Sequence, residues 1–503
     1  MFKFVLAISP ILVVLIGMVV FNISGKYVAP FVAAYTVVLC VVCFKTTGAV
    51  PLTGAIILKN WLSGAIEGFK IFCLIWPAFV ILKTMTSTGA IEKVKETLSG
   101  VTDDKRIQLI MIASMFVTFL EGAAGAGSPA AVAGPFLVAL GINPVIAATV
   151  TLFGDATAAS FGGAGLTTIR GSGALIEAGL ITAKQSGIMV GRVHFWGLLV
   201  MPTIIIFTTY GKKGFKKFMP YWIFSSLSTP IILLLVTTFI GPEFGSLGTG
   251  ALALIASIIF LKIVKMETPE EFKQTILLNA DSNKYTKLQS FGSYILLSLA
   301  LPIVRFTVPW WILTYYGYIV WVAVVIFLCS FFGAMILKVP IKEYLINVKT
   351  CGISLSPVFI TIGALLVISN LMNTSGMIRI MAEDIAAISG NLYPAMASFI
   401  GALGGFITGT GVGSNIMFAP MHIIAAKQLG LNVIPVFAGQ NAGASLGNLI
   451  CPNNVIAAAA TVGLIGREGD ILKKALKIFF IIVIMYMSIT MLYTHIFFKT
   501  WGV

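Results

Sequence analysis

The sequence predicts an all-α polytopic membrane protein with about 12 transmembrane helices. They form two inverted repeats, each with a re-entrant hairpin and a broken helix. Three observations carry that expectation. First, 58% of the 503 residues are hydrophobic and only 10% are charged, with a mean hydropathy of +1.01, whereas soluble proteins usually carry about 25% charged residues. Second, apolar stretches of about 20 residues, the length of a bilayer-spanning helix, recur along the whole chain. Third, several short motifs occur twice in the same order. The composition excludes a soluble enzyme.

In chain order the expected crossings are 4–24, 27–45, 66–88, 144–163, 185–208, 220–240, 245–264, 289–305, 316–337, 353–373, 431–450 and 474–497. The first resembles a signal peptide but lacks a convincing small-residue cleavage site, so it reads as a span. Two further apolar stretches, 107–140 and 392–428, do not fit as single crossings. Each has two arms of about 14–16 residues around a glycine-rich centre, and such an arm covers about 23 Å, short of a full span. Each therefore reads as a re-entrant hairpin. Lys and Arg number 33 against 18 Asp and Glu, a net charge of +15. No basic run is interleaved with aromatics on a soluble domain, so the excess points to cytoplasmic loops and not to nucleic acid. With KKGFKK (212–217) in the cytoplasm, the cytoplasmic loops hold 21 basic residues and the opposite side 9, which sets both ends of the chain outside.

MTSTG (85–89) pairs with MNTSG (372–376), GAGS (125–128) with GVGS (411–414), and DATAASFGG (155–163) with NAGASLGN (441–448), at offsets of 287, 286 and 286. Seven crossings separate the start of the 66–88 helix from the start of the 353–373 helix, and an odd number inverts the second unit. Inverted repeats with interrupted helices are the architecture of secondary transporters. The expected organisation is N-terminal spans over 1–65, repeat 1 over 66–166, connecting spans over 167–352, repeat 2 over 353–452, and a cytoplasmic loop with the last span over 453–503. The hairpins 107–140 and 392–428 and the broken helices 144–163 and 431–450 lie inside the two repeats.

The hairpin centres read FLEGAAGAGSPAAVAGP (119–135) and GFITGTGVGSNIMFAP (405–420). No Gly-Lys-Ser/Thr follows either one, so neither is a phosphate loop. Glycine lets the backbone turn, and the helix after the turn begins with N–H groups that lack intrahelical partners and attract an anion. The expected substrate-binding residues are Gly125, Gly127 and Ser128 at the first centre and Gly411, Gly413, Ser414 and Asn415 at the second. The broken helices add Gln440 and Asn441, with breaks expected around Gly154–Thr157 and Gln440–Gly443. Thr157, Ser160, Ser445 and His422 are weaker candidates. The ligand that fits is a small carboxylate. Close packing of small residues is the competing reading of the glycines.

Glu121 and Asp155 are the two acids that this topology sets deep in the membrane. Loss of hydration disfavours charge there, so such a carboxylate can exchange a proton near neutral pH. They are the expected proton-coupling groups. Glu67 reads as interfacial, near a helix entrance. Arg170 reads as a surface residue, and His194 and Arg192 as packing or interface. The six cysteines and three histidines show no zinc spacing, and no cofactor is expected.

FLEGAAGAGSPAAVAGPFLVALG with the following GINP, and AGQNAGASLGNLICPNNVIAAAATVGLIGREGDILKKAL near the C-terminus, resemble the lactate permease family. Glu121, Gly122, Gly125, Gly127, Ser128, Gln440, Asn441 and Pro452 fall on its motif positions. The resemblance implies uptake of lactate or glycolate by proton symport across a bacterial cytoplasmic membrane. It also implies a broad superfamily with paired re-entrant hairpins and elevator-like motion. The second centre, GTGVGSN, and Asn453-Asn454 depart from the family pattern. Beside substrate, proton and lipid bilayer, a homodimer is the candidate assembly. The alternatives are a sodium-coupled di- or tricarboxylate transporter of the same architecture, a membrane-embedded enzyme, and a non-transporting subunit of a larger complex. The enzyme would need a nucleophile or metal constellation that the sequence does not contain.

Overall fold

The computed structural model describes residues 2–19, 21, 23, 25–45, 52–123, 125, 128–273, 284–307, 318–464 and 467–502. Among them the chain is helical throughout, and the one β-type contact is an isolated bridge between Asp104 and Lys273. Seven of these helices are long and apolar enough to cross a bilayer, and the bent helix Ile341–Thr374 would make an eighth. Shorter apolar helices include Phe2–Val14 and Ala323–Ile336. Exposed Phe239, Ile263, Ile259 and Ile481 sit on the outer faces. An apolar exterior of this kind suits lipid and not water.

In chain order the helices are α1 (Phe2–Val19), α2 (Gly25–Val42), α3 (Gly54–Thr88), α4 (Ala90–Ser99), α5 (Lys105–Ala123), α6 (Ser128–Ala139), α7 (Pro144–Ala158), α8 (Gly162–Gly171), α9 (Ala183–Tyr210), α10 (Met219–Leu235), α11 (Gly245–Ile263), α12 (Lys287–Thr307), α13 (Tyr318–Ile336), α14 (Ile341–Thr374), α15 (Met377–Ser389), α16 (Tyr393–Thr408), α17 (Gly411–Leu429), α18 (Val433–Gly447), α19 (Pro452–Thr461) and α20 (Glu468–Leu492). The order long helix, short amphipathic helix, helix pair, central helix occurs twice. The starts of α3 and α14, α4 and α15, α5 and α16, and α7 and α18 lie 287, 287, 288 and 289 residues apart.

Local chemistry repeats as well. Gly89 ends α3 with φ 79°, and Gly376 precedes α15 with φ 82°. Both are left-handed positions that glycine adopts without steric cost. Leu-Gly-Ile-Asn (140–143) and Leu-Gly-Leu-Asn (429–432) make matching turns. Asn143 caps α7 by accepting from the Val145 N–H at 3.0 Å, and Asn432 caps α18 by accepting from the Ile434 N–H at 3.0 Å. Such caps satisfy N–H groups that the helix itself leaves open.

Three features differ from the sequence expectation. α3 and α14 each begin 12 residues earlier than the apolar runs at 66 and 353 suggest. Polar residues before the apolar runs, Lys59, Asn60 and Ser63 in α3 and Lys342, Glu343, Asn347 and Lys349 in α14, stay helical and hide the true starts, and α14 bends by 40° near Pro357. The arms of the helix pairs are unequal: α5 has 19 residues and α6 has 12, while α16 has 16 and α17 has 19. The breaks also lie further along. Gly154–Thr157 and Gln440–Gly443 are helical, and the chain leaves the helix at 159–165 and at 448–451. Gly154 and Gly443 serve close packing instead. An added Cβ would meet the Ala113 carbonyl oxygen at 1.8 Å in the first case and the Ser398 carbonyl oxygen at 1.9 Å in the second.

The core centres on α5, α7 and α18. Every residue of α5 from Arg106 on is buried, as are Ala147–Ala158 and Ile434–Gly447. α7 and α18 meet where the Ser445 hydroxyl donates to the Ala156 carbonyl oxygen. α9 and α20 cover them, with Tyr486 of α20 reaching His194 of α9.

Candidate functional site

Just after its first residue, α8 is kinked: the backbone turns through Gly163, Ala164 and Gly165 with φ of 52°, 56° and 74°. Left-handed residues in a row end one helix and re-aim the chain. α8 receives both helix-pair tips. The first tip turns at Gly125 (φ 67°), where an added Cβ would lie 3.1 Å from the Gly163 nitrogen. The second tip sets Gly411 against Thr167, with an added Cβ 2.7 Å from its methyl group. The Asn415 amide donates to the Thr167 carbonyl oxygen at 3.2 Å. The first tip thus sits at the start of α8 and the second along the rest of it.

The acids gather at the first tip. Glu121, on the last turn of α5, is 2% exposed. Its carboxyl lies against Gly162, where an added Cβ would be 2.1 Å from Oε1. Asp155 on α7 is fully buried, and its carboxyl adjoins that of Glu121. Gly127 lies outside the described residues. Ser128 begins α6, and its side chain lies outside them too.

The amides and hydroxyls gather at the second tip. Thr410 caps α17, its hydroxyl accepting from the Gly413 N–H at 3.1 Å. The Ser414 hydroxyl donates to the Gly401 carbonyl oxygen at 3.0 Å and accepts from the Gln440 amide at 3.0 Å. The same Gln440 amide reaches Asn415 Oδ1 at 3.5 Å. Gln440 Oε1 faces His422 Nε2 at 2.9 Å, and His422 Nδ1 faces the Tyr393 hydroxyl at 2.8 Å. An amide oxygen only accepts, so Nε2 carries the proton and the tyrosine donates to Nδ1. The chain from Tyr393 to Gly401 therefore runs in one direction.

Asn441 bridges the two halves. Its amide donates to the Thr168 hydroxyl at 3.1 Å, and Thr168 donates to the Ser160 carbonyl oxygen at 2.6 Å. Asn441 Oδ1 is buried without a hydrogen-bond partner among the described residues. Thr157 bonds only within its own helix, to the Phe153 and Gly154 carbonyls.

Sequence reasoning gathers most of these residues but treats His194 as packing. In the structure His194 is fully buried between the Ser160 hydroxyl at 2.6 Å and the Tyr486 hydroxyl at 3.0 Å. Nothing in the local pattern of α9 signals this, because the partners stand 34 and 292 residues away. Arg170, expected on the surface, pairs with Glu67. Glu67 itself lies well inside α3 and not at its entrance.

The family described as L-lactate permease matches residues 3–313 and 299–497. An L-lactate permease of Streptococcus iniae is 27% identical over 459 residues, covering 86% of this chain and 92% of the relative. The glycolate permease GlcA of Escherichia coli (strain K12) is 23% identical over 548 residues, covering 98% of this chain and 95% of the relative. An L-lactate permease of Salmonella typhimurium is 26% identical over 560 residues, covering 99% and 96%.

Proposed function

The chain belongs to the L-lactate permease family, a family of multi-pass membrane transporters, and on that premise we propose that it imports lactate or glycolate by proton symport across the cell membrane. The observation that carries the reading is the buried Glu121–Asp155 pair beside the first tip. Its protonation would cancel a charge that lipid does not tolerate. The substrate carboxylate then takes the amides at the start of α17 and α6, as anions do at helix N-termini. Asn441 Oδ1 stands ready for a donor, and a 2-hydroxy acid carries one. The relatives' names fit such a substrate.

The two helix pairs act as re-entrant hairpins in this reading. The unit carrying α5–α8, α11 and α16–α18 crosses as an elevator when proton and anion are both bound. A half-loaded unit keeps a net charge and stays put.

The test is uptake of labelled lactate, glycolate, pyruvate, succinate and citrate into proteoliposomes under a pH gradient or a sodium gradient. Monocarboxylate accumulation driven by the pH gradient alone is the expected result. Accumulation that requires sodium, or a preference for succinate or citrate, would favour the sodium-coupled alternative. Glu121→Gln should abolish pH-driven accumulation and retain exchange of labelled for unlabelled substrate. Survival of accumulation and of its pH dependence in both Glu121→Gln and Asp155→Asn would refute the coupling assignment.

A further inference from the structure

A cavity of about 340 Å³ lies between α3 and α14 on one side and α8 and α17 on the other. Ser63, Glu67, Arg170, Glu177, Asn370 and Asn373 supply most of its polar wall. A liquid water occupies about 30 Å³, so there is room for a three-carbon acid with several waters. The cavity backs onto the second tip: an added Cβ at Gly171, on its wall, would lie 2.6 Å from the Asn415 Cβ.

Glu67 divides itself between two cations. One carboxylate oxygen meets Lys70 at 2.9 Å, and the other meets the Arg170 guanidinium. The Arg170 partner is thus a carboxylate from a different helix, α3, at a partly exposed cavity next to the second tip. A guanidinium presents a flat fork of donors that matches a carboxylate in two-point contact. Arg170 and Glu67 are each about a quarter to a third exposed, at 30% and 24%, so water and solutes reach both.

We infer that Arg170 is an entry site for the substrate, where an incoming monocarboxylate replaces Glu67 on the guanidinium before it passes to the tips. The inference rests on the carboxylate-transport reading above. The exchange swaps one anion for another, so the cavity never holds a bare cation, and Glu67 keeps Lys70 when it lets go. Glu177 also faces the cavity. A second carboxylate on the substrate would meet Glu67 and Glu177, which gives the port a preference for single charge.

Uptake of labelled lactate into proteoliposomes tests the inference. Glu67→Gln removes the internal competitor and should lower KM severalfold. Arg170→Gln should raise KM about tenfold or more while the maximal rate holds, as expected for loss of a charged hydrogen-bonding partner. Arg170→Lys should fall between Arg170→Gln and wild type, and the double variant should match Arg170→Gln. Thermal unfolding of each purified variant in detergent separates binding from folding. A KM unchanged in Glu67→Gln and Arg170→Lys, or a fall in maximal rate and melting temperature alone, overturns the port and leaves a latch between α3 and α8. Wild-type protein that takes up no monocarboxylate overturns the underlying reading, and the port with it.

Discussion

Replacing Gly443 by alanine sets a methyl group 1.9 Å from the Ser398 carbonyl oxygen, 2.9 Å from its carbon and 3.1 Å from the Ala402 nitrogen. All three atoms are backbone, so no side chain can swing away. Ordinary contact begins near 3.4 Å, and α16 and α18 would have to part by roughly 1.5 Å in an interior packed to crystal density. Overpacking of this kind costs about 1–3 kcal/mol, and backbone-on-backbone contact belongs at the upper end. The helix-propensity gain of alanine over glycine returns about 1 kcal/mol, leaving a net loss of about 2 kcal/mol. Gly363 on α14 is the control, because its added Cβ meets nothing within 4 Å. Gly363→Ala should show only the gain, about 1 kcal/mol. Thermal unfolding in detergent should therefore move in opposite directions for the two variants. Uptake should fall in Gly443→Ala, since Gln440 and Asn441 shift with the helix. A Gly443→Ala protein as stable as Gly363→Ala would refute the reasoning.

Other substitutions probe other parts of the molecule. Arg106 is fully buried, pairs with Asp104 at 2.6 Å, donates to the Gly214 and Lys216 carbonyls, and lies between the Phe218 and Phe272 rings. Arg106→Ala should cost about 3–5 kcal/mol by stranding Asp104, and Asp104→Asn in the same chain should recover part of the loss of melting temperature. Tyr393→Phe removes the donor to His422 Nδ1 and should cost about 1 kcal/mol, with a small fall in melting temperature and uptake retained. A complete loss of uptake would show that the hydroxyl does more than orient His422.

The class of fold is legible because lipid imposes composition: 58% hydrophobic residues leave few alternatives. The repeat is legible because turns at φ near 80° call for glycine at matching places such as Gly89 and Gly376. Leu-Gly-Ile-Asn and Leu-Gly-Leu-Asn carry the same signal and escape notice, because their polar content is low. The breaks are misplaced for a physical reason. Small residues next to polar ones look like an interruption, but Gly154 and Gly443 are small so that backbones can touch. Gly163, Ala164 and Gly165 make the real turn, near the start of α8, and the alanine among them hides it. The closeness of Glu121 to Asp155 and the pairing of Arg170 with Glu67 join residues 34 and 103 apart. No spacing rule reaches that far.

The glycine contacts also say where the molecule can and cannot slip. Gly401, Gly405, Gly443 and Gly447 press α16 and α18 together, main chain on main chain, and Gly122 and Gly250 do the same for α5 and α11. Surfaces meshed without intervening side chains have no low-friction plane, so each pair must travel as a single block. The boundary between α3 and α8 is joined differently, through the partly exposed Arg170–Glu67 ion pair.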